Sequence, residues 1–287
     1  MTGKLIAGAL LALVLAVPAV PAWGAAAKAR TGKAAAGKAQ EETSSPGLPA
    51  DASHVIALPM LKGASRPPMS LSADPWKRAA AVSGLYENTG VGARPAAQPT
   101  WVYLYYNPTM LWVAFRCEGQ HGNELKKEIA DRDGKVWRDD SVEVMVDPTG
   151  MGKNVYHIVV NSTGNVYDAY NKEGKWDAKL VTKAATDDKG WSVTIGIPFA
   201  ALKAKMPEPG QAWAANFFRN VAFKTEEATP EAPFTKVRTS WAPVLTNYET
   251  PKNYGYLLFG PENMPAVRMR LVNPVVIGKN HLTVDPL

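Results

Sequence analysis

The chain has 287 residues, a formal net charge of +6 and one cysteine, Cys117. A single cysteine excludes a disulfide within the chain, so a domain of this length has to be stabilised by its hydrophobic core. Five of the basic residues fall within residues 4–38, and the rest form no run of lysine and arginine with interleaved aromatic residues, which argues against a nucleic-acid partner.

The N-terminal segment is typical of a secretory signal peptide. A short basic lead is followed by an apolar run over residues 5–17 and by small residues around position 24. The apolar run is shorter than the roughly 20 residues that a bilayer requires, and Pro18 and Pro21 interrupt its end. The sequence therefore predicts a cleaved signal over residues 1–25, a secreted or periplasmic protein and no stable membrane insertion.

Residues 26–53 consist mainly of Ala, Lys, Gly, Ser and Pro, with almost no large apolar residue. Such a segment buries too little surface to offset its ordering entropy, which predicts a disordered basic linker. A folded domain is predicted over residues 54–260. The tail over residues 261–287 contains apolar residues, and its pattern leaves open whether it adds a strand.

Period-two alternation recurs at short intervals through the predicted domain, with turn residues between the alternating segments. The predicted strands cover residues 101–106, 111–118, 141–147, 156–161, 166–170, 180–184, 191–197, 213–223 and 256–259. Helical periodicity is restricted to short turns such as residues 199–203, and there is no series of strand–helix units. The pattern predicts an all-β, antiparallel β-sandwich of jelly-roll or immunoglobulin-like type.

Residues 136–147 contain the most informative pattern in the chain. If they form one strand, alternate valines point inward, and the opposite face carries Trp137, Asp139, Ser141, Glu143 and Met145. An exposed indole beside a carboxylate suits sugar binding, because the ring packs on pyranose C–H groups while the carboxylate accepts hydroxyl hydrogen bonds. In the alternative interpretation, Trp137 caps one end of the sandwich and the acids form a solvated edge.

Several segments, taken in order, resemble the family 9 carbohydrate-binding modules known from secreted xylanases. The segments are residues 71–76, 111–115, 137–147, 190–199, 216–219, 240–241 and 251–255. The most specific of them is the Trp-x-x-Asp-Ser-Val-Glu pattern that runs from Trp137 to Glu143. The resemblance spans roughly residues 54–260.

This resemblance implies a β-sandwich that holds a terminal sugar between two aromatic rings. Trp137 matches the first ring and Glu143 matches a carboxylate that binds sugar hydroxyls. Tyr248 stands where the family has its second ring, a tryptophan, and Trp241 is the competing candidate. A tyrosine also stacks on a sugar, over a smaller surface.

The chain departs from the family at Val159, which occupies the place of a sugar-binding arginine. Arg219 or His157 is a candidate for a replacement donor. For each residue there is also a purely structural alternative. Arg219 pairs with a carboxylate across the sheet in that alternative, and His157 is a strand-surface residue that contacts no ligand.

Calcium is often bound in the family, and residues 131–134 (Asp-Arg-Asp-Gly) resemble the start of a calcium loop. No further Asp or Asn series and no closing Glu completes the pattern. The sequence therefore leaves open whether a structural Ca²⁺ is bound, and we assign no metal ligand and no other cofactor.

The sequence thus predicts a secreted, non-catalytic protein that clamps a unit of an oligo- or polysaccharide between aromatic side chains. One alternative is a haem-binding redox module of DOMON type that uses Met145 with His121 or His157. A second is a glycoside hydrolase, which needs two carboxylates at a defined separation; its candidates are Asp131, Asp133, Asp139, Asp140 and Glu143. A third is a β-domain that mediates contacts between envelope proteins.

Overall fold

The computed structural model describes residues 47–88, 93–223, 234–244, 248–271 and 282–284. The predicted signal peptide and most of the predicted linker lie outside these ranges. Within them, no helix has the length and apolar character needed to cross a bilayer.

The described chain is built almost entirely from strands. The first eight are β1 (Val55–Met60), β2 (Ala80–Ser83), β3 (Tyr86–Asn88), β4 (Ala93–Pro95), β5 (Thr100–Tyr106), β6 (Met110–Glu118), β7 (Ser141–Asp147) and β8 (Tyr156–Asn161). The others are β9 (Val166–Tyr170), β10 (Val181–Thr186), β11 (Gly190–Pro198), β12 (Ala212–Phe223), β13 (Thr235–Ser240), β14 (Gly255–Glu262), β15 (Arg268–Leu271) and β16 (Leu282–Val284). Four short 3-10 helices cover Trp76–Arg78, Gly122–Glu124, Val136–Arg138 and Pro251–Asn253.

The strands pair in two groups. In the first group, here called the β7 sheet, the order is β9–β8–β7–β12, and β12 pairs on its other side with β14 along its first half and with β13 along its second half. In the second group, the β6 sheet, the order is β10–β11–β6–β5–β2. The predicted all-β sandwich is confirmed.

The pairing is antiparallel within each sheet, but it is parallel where β1 meets β14 and β5, and where β15 meets β2. Because β1 and β14 lie at opposite ends of the domain sequence, no hairpin constrains their relative direction. β1 joins the two sheets at one edge, since it pairs with β14 and also with Tyr106 of β5. The tail adds a strand to the β6 sheet through β15 and β2.

The hydrophobic core lies between the two sheets. Phe115 of β6 meets Phe217 of β12 at a ring-centroid distance of 6.2 Å. The three alternate valines of β7, residues 142, 144 and 146, are fully buried in the same core cluster, as predicted. Alternation then places Glu143 and Met145 on the outer face of the β7 sheet.

Cys117 is one of the core residues and is completely buried. Burial raises the pKa of its thiol to about 12. A thiol in this environment stays protonated and unreactive near neutral pH, so the role of Cys117 is packing.

Candidate functional site

Trp137 reaches the outer face of the β7 sheet from a helical turn and not from the strand. The strand predicted over residues 141–147 has the bounds of β7, but the strand does not extend back to residue 136, because Val136–Arg138 forms a 3-10 helix. The indole of Trp137 is half-buried and lies edge-on to Tyr167, with ring centroids 4.9 Å apart. Lys236 donates a hydrogen bond to the main-chain oxygen of Trp137.

The two aspartates between the helical turn and β7 are buried anchors of the main chain. The Asp139 carboxylate accepts hydrogen bonds from the backbone N–H groups of Glu128 (3.1 Å) and Ile129 (2.9 Å). Asp140 accepts from the N–H groups of Lys126 (2.8 Å) and Ala222 (3.2 Å), and burial raises its pKa to about 6. Both carboxylates therefore fix the position of Trp137 at the end of β7 without facing solvent.

An open cavity of about 220 Å³ lies in front of β7 on this outer face. It is lined by side chains, most of them aromatic or polar, from five strands and two connecting segments. They are Trp137, Glu143, Met145, His157, Tyr167, Asn220, Arg238, Tyr248 and Glu249. Of the six residues predicted for the site, the structure brings together Trp137, Glu143, His157 and Tyr248.

Glu143 is the buried acid at the base of this cavity, with 3% of its surface exposed. Its Oε2 lies 2.6 Å from Nε2 of His157, and its Oε1 accepts a hydrogen bond of 2.5 Å from the Asn220 side chain. Burial alone raises the pKa of Glu143, but the hydrogen bond and charge of His157, the Asn220 bond and the charge of Arg238 outweigh it. The net pKa lies below the ordinary value, so the acid is ionised.

Tyr248 forms a second aromatic wall. One face of its ring stacks on Phe218, with centroids 4.0 Å apart and an interplanar angle of 28°. The guanidinium carbon of Arg238 lies 5.9 Å from the same ring centroid, and the Tyr254 hydroxyl donates a 2.7 Å bond to the main-chain oxygen of Tyr248. One face of the Tyr248 ring is thus covered by Phe218, which belongs to the same outer-face cluster as Met145. A ligand is able to contact only the surface of the ring that these neighbours leave uncovered.

Trp241 and Arg219 do not line the cavity. Trp241 is 6% exposed and packs in the core against Phe217, at a centroid distance of 5.5 Å, and against His54. Arg219 is fully buried, and its guanidinium donates to main-chain and side-chain oxygens at the ends of β5 and β6. The acceptors are Gln98 Oε1, Pro99 O, Thr100 Oγ1 and Glu118 O, at 2.9 to 3.1 Å.

Four lining residues were missed by the sequence reasoning: Tyr167, Asn220, Arg238 and Glu249. Tyr167 pairs with Val159, and Asn220 pairs with Ser141, so both reach the cavity through strand register. Val159 itself is covered and presents no polar group. Arg238 supplies the cation on this face that Val159 does not provide. It lies on a strand that was not predicted from the sequence.

The acids considered for hydrolysis are separated by the fold. Only Glu143 among them lines the cavity, while Asp139 and Asp140 accept backbone hydrogen bonds. In the 131–134 loop, Arg132 pairs with Asp168 at 2.6 Å and Asp177 at 2.5 Å. Across the described ranges, no three His, Cys, Asp or Glu side chains converge as metal ligands would.

Two of the three candidate haem ligands, Met145 and His157, are already bonded within the protein. The Met145 sulfur is 2.7 Å from the Tyr254 hydroxyl, and Met145 is 1% exposed. Nε2 of His157 is held by Glu143. This geometry favours a rigid polar cavity over a redox centre.

The fold and this cavity define a β-sandwich with an open aromatic and acidic site on one sheet. No protein-family model and no curated protein matches the sequence. Solved structures do match the fold. A structure from Bacteroides uniformis, whose description proposes carbohydrate binding, superposes with a TM-score of 0.54 at 13% identity and covers 72% of this chain and 99% of its own.

Two further matches are structures of a family 9 carbohydrate-binding module from Caldicellulosiruptor kristjanssonii. The complex with cellotriose has a TM-score of 0.52 at 14% identity and covers 79% of this chain and 100% of the module. The complex with glucose has a TM-score of 0.51 at 15% identity and covers 72% of this chain and 96% of the module. The predicted likeness to the fold of this family is therefore confirmed.

Proposed function

We propose that the protein is a secreted, non-catalytic carbohydrate-binding protein that holds one sugar unit between Trp137 and Tyr248. The observation that carries the proposal is the convergence of these two rings with Glu143 on one outer sheet face. The fold is shared with a module that was solved with glucose and with cellotriose, which supports a saccharide ligand.

The chemistry of the cavity fits a neutral sugar. Aromatic rings pack on the C–H faces of a pyranose, and a gap of about 7 to 8 Å, twice a ring-to-carbon contact distance, admits one sugar ring. Each oxygen of a carboxylate accepts two hydrogen bonds. Since each Glu143 oxygen has one protein partner, each keeps one acceptor position for a hydroxyl.

Arg238 and Asn220 extend the polar set. Arg238 is exposed and carries only donors, and it faces the cavity beside Tyr248. We assign to Arg238 the role of a cation that binds sugar hydroxyls. It takes over the role of the sugar-binding arginine of the family, at whose position this chain has Val159. Binding uses only these side chains and the rings, and no bond of the sugar is broken.

Isothermal titration with glucose, cellotriose and xylotriose tests the proposal. We expect Trp137→Ala to weaken binding by at least about tenfold, equivalent to about 1.4 kcal/mol, because the stacking surface is lost. Trp101→Ala is the matched control, since Trp101 is a half-buried indole on the β6 sheet outside this cavity. Absence of binding to all three sugars, or equal losses in both variants, would contradict the proposal.

A further inference from the structure

A second and larger cavity, of about 530 Å³, opens on the outer face of the β6 sheet. Its floor is formed by Tyr103 of β5, Arg116 of β6 and Ser192 of β11. Arg116 and Ser192 are direct cross-strand partners. Neighbouring residues such as Phe115 and Val193 point into the core, so this cavity and the one in front of Glu143 lie on opposite faces of the sandwich.

The charge of this cavity is unbalanced. Asp187 forms a bidentate ion pair with Arg116, with nitrogen–oxygen distances of 2.7 and 2.8 Å. Its negative charge is therefore already neutralised. Lys77 and Arg268 also line the cavity, and in the described part of the chain neither lies within ion-pair distance of a carboxylate. Asp74 interacts with the charge of Lys77 but is itself paired with Arg78, so the cavity has an excess of positive charge. Such an excess attracts an anionic ligand.

Arg268 is held in place by the protein. Its Nη2 donates a hydrogen bond of 3.1 Å to the main-chain oxygen of Lys77, and its guanidinium carbon lies 6.0 Å from the centroid of the Tyr103 ring. A guanidinium is a planar fork that matches a carboxylate, and fixing it in advance reduces the entropy lost on binding. The arrangement is therefore suited to a carboxylate.

Neutral hydroxyl groups surround these cations. Ser70 and Ser72 also line the cavity, with their Oγ atoms 3.0 Å apart, and the Ser192 hydroxyl lies 3.5 Å from Nη1 of Arg116. Hydroxyls both donate and accept hydrogen bonds, as sugar hydroxyls require. The volume lies within the range of small-ligand sites.

We propose that this cavity is a second binding site, for an acidic saccharide, in which Arg268 and Lys77 hold the carboxylate of a uronic acid unit. The serine hydroxyls and Tyr103 bind the hydroxyls of the same unit. This site is independent of the neutral-sugar site, because the two occupy opposite sheets and share no lining residue.

The test is a heteronuclear NMR titration of the purified protein with D-glucuronate and with D-glucose, which differ only at the carboxylate carbon. We expect glucuronate to shift the amide signals of residues 70–72 and 103, and glucose to leave them unchanged. Arg268→Gln and Lys77→Gln should each weaken glucuronate binding by about tenfold, the equivalent of one charge-assisted contact. Raised salt should weaken it as well.

Arg270→Gln is the matched control, because Arg270 lies on the same strand and carries the same charge but does not line the cavity. It should bind glucuronate like the unaltered protein, and so should Trp137→Ala. Lys77 is exposed, so its variant stays informative even if Arg268→Gln unfolds. The proposal is overturned if glucuronate causes no shifts at residues 70–72 and 103, if inorganic phosphate binds there as tightly, or if Arg270→Gln weakens binding equally.

Discussion

Glu143 carries its charge inside the fold, and its environment makes that charge part of the stability of the protein. Because its pKa is lower in the folded chain than its ordinary value of 4.5, the folded state binds the proton more weakly than the unfolded state. The stabilisation is present above the ordinary pKa and is lost as the pH falls through the lower, folded value.

We expect Glu143→Gln to reduce the free energy of unfolding by about 1 to 3 kcal/mol at pH 7, because hydrogen bonds to a charged group are lost. The variant should also lose stability less steeply than the unaltered protein between about pH 5 and pH 3. Urea denaturation at several pH values measures both effects. Parallel pH profiles for the two proteins would contradict the role given to the Glu143 charge.

Lys236 contacts the main chain of Trp137, and we expect it to position that residue. Burial, assisted by the charge of Arg238, lowers its pKa to about 8, and its amine donates to the Trp137 main-chain oxygen. We expect Lys236→Met to weaken sugar binding by roughly three- to tenfold, or about 0.7 to 1.4 kcal/mol, while the melting temperature hardly changes.

The matched control is Lys183→Met, since Lys183 lies on β10 at the far edge of the β6 sheet. Titration calorimetry and thermal melting on both variants separate positioning from stability. If Lys236→Met binds sugar like the control variant, the contact with Trp137 has no role in binding.

Single residues were predictable where one local pattern determines their surroundings. The aromatic and acidic pattern from Trp137 to Glu143 contains two of the side chains that line the cavity. The strand does not continue back to Trp137, because the buried hydrogen bonds of Asp139 and Asp140 hold the segment before β7 in another conformation. Such contacts with distant N–H groups leave no local signal.

At the scale of elements, Arg219 connects β12 to the ends of β5 and β6 through four hydrogen bonds. We expect Arg219→Gln to lower the free energy of unfolding by about 2 to 4 kcal/mol, because buried carbonyl groups lose a charged donor. The folded fraction of this variant should keep its affinity for sugar within about twofold.

Arg238→Gln should show the reverse pattern. Arg238 is exposed at the cavity, so its loss should weaken sugar binding by about tenfold with little change in stability. Denaturation and titration calorimetry on the two variants form a crossed comparison. Weakened binding with unaltered stability in Arg219→Gln would assign the ligand contact to Arg219 instead.

Strands with strong alternation were predicted with the bounds that the structure shows, as for β7, β8 and β9. β13 was missed because its sequence, Thr-Lys-Val-Arg-Thr-Ser, has one large apolar residue and reads as a loop. Its Arg238 was therefore missed as well. Tyr167 and Asn220 were missed for another reason, since cross-strand register depends on pairing between distant segments.

At the scale of the molecule, the antiparallel sandwich followed from alternation and turn spacing, but the parallel entry of β1 did not. Its partner β14 follows some 200 residues later, and local sequence carries no information on such pairing. The two outer faces differ in charge and chemistry, and each carries a cavity with its own proposed ligand.

Export is a property of the whole chain and is predicted from its first residues. We expect the mature protein, recovered from the periplasm or medium of a bacterial culture, to begin near residue 26, because signal peptidase cleaves after small residues. Mass spectrometry of the intact protein measures the mass that is lost. A full-length chain retained inside the cell would contradict the prediction.

The most direct test of the central claim is a crystal structure of the protein with cellotriose or glucose bound. We expect one pyranose ring to lie between the Trp137 and Tyr248 rings, with a sugar hydroxyl within about 3 Å of a Glu143 oxygen. Sugar bound elsewhere on the surface, or rings that close against each other and leave no slot, would contradict the account.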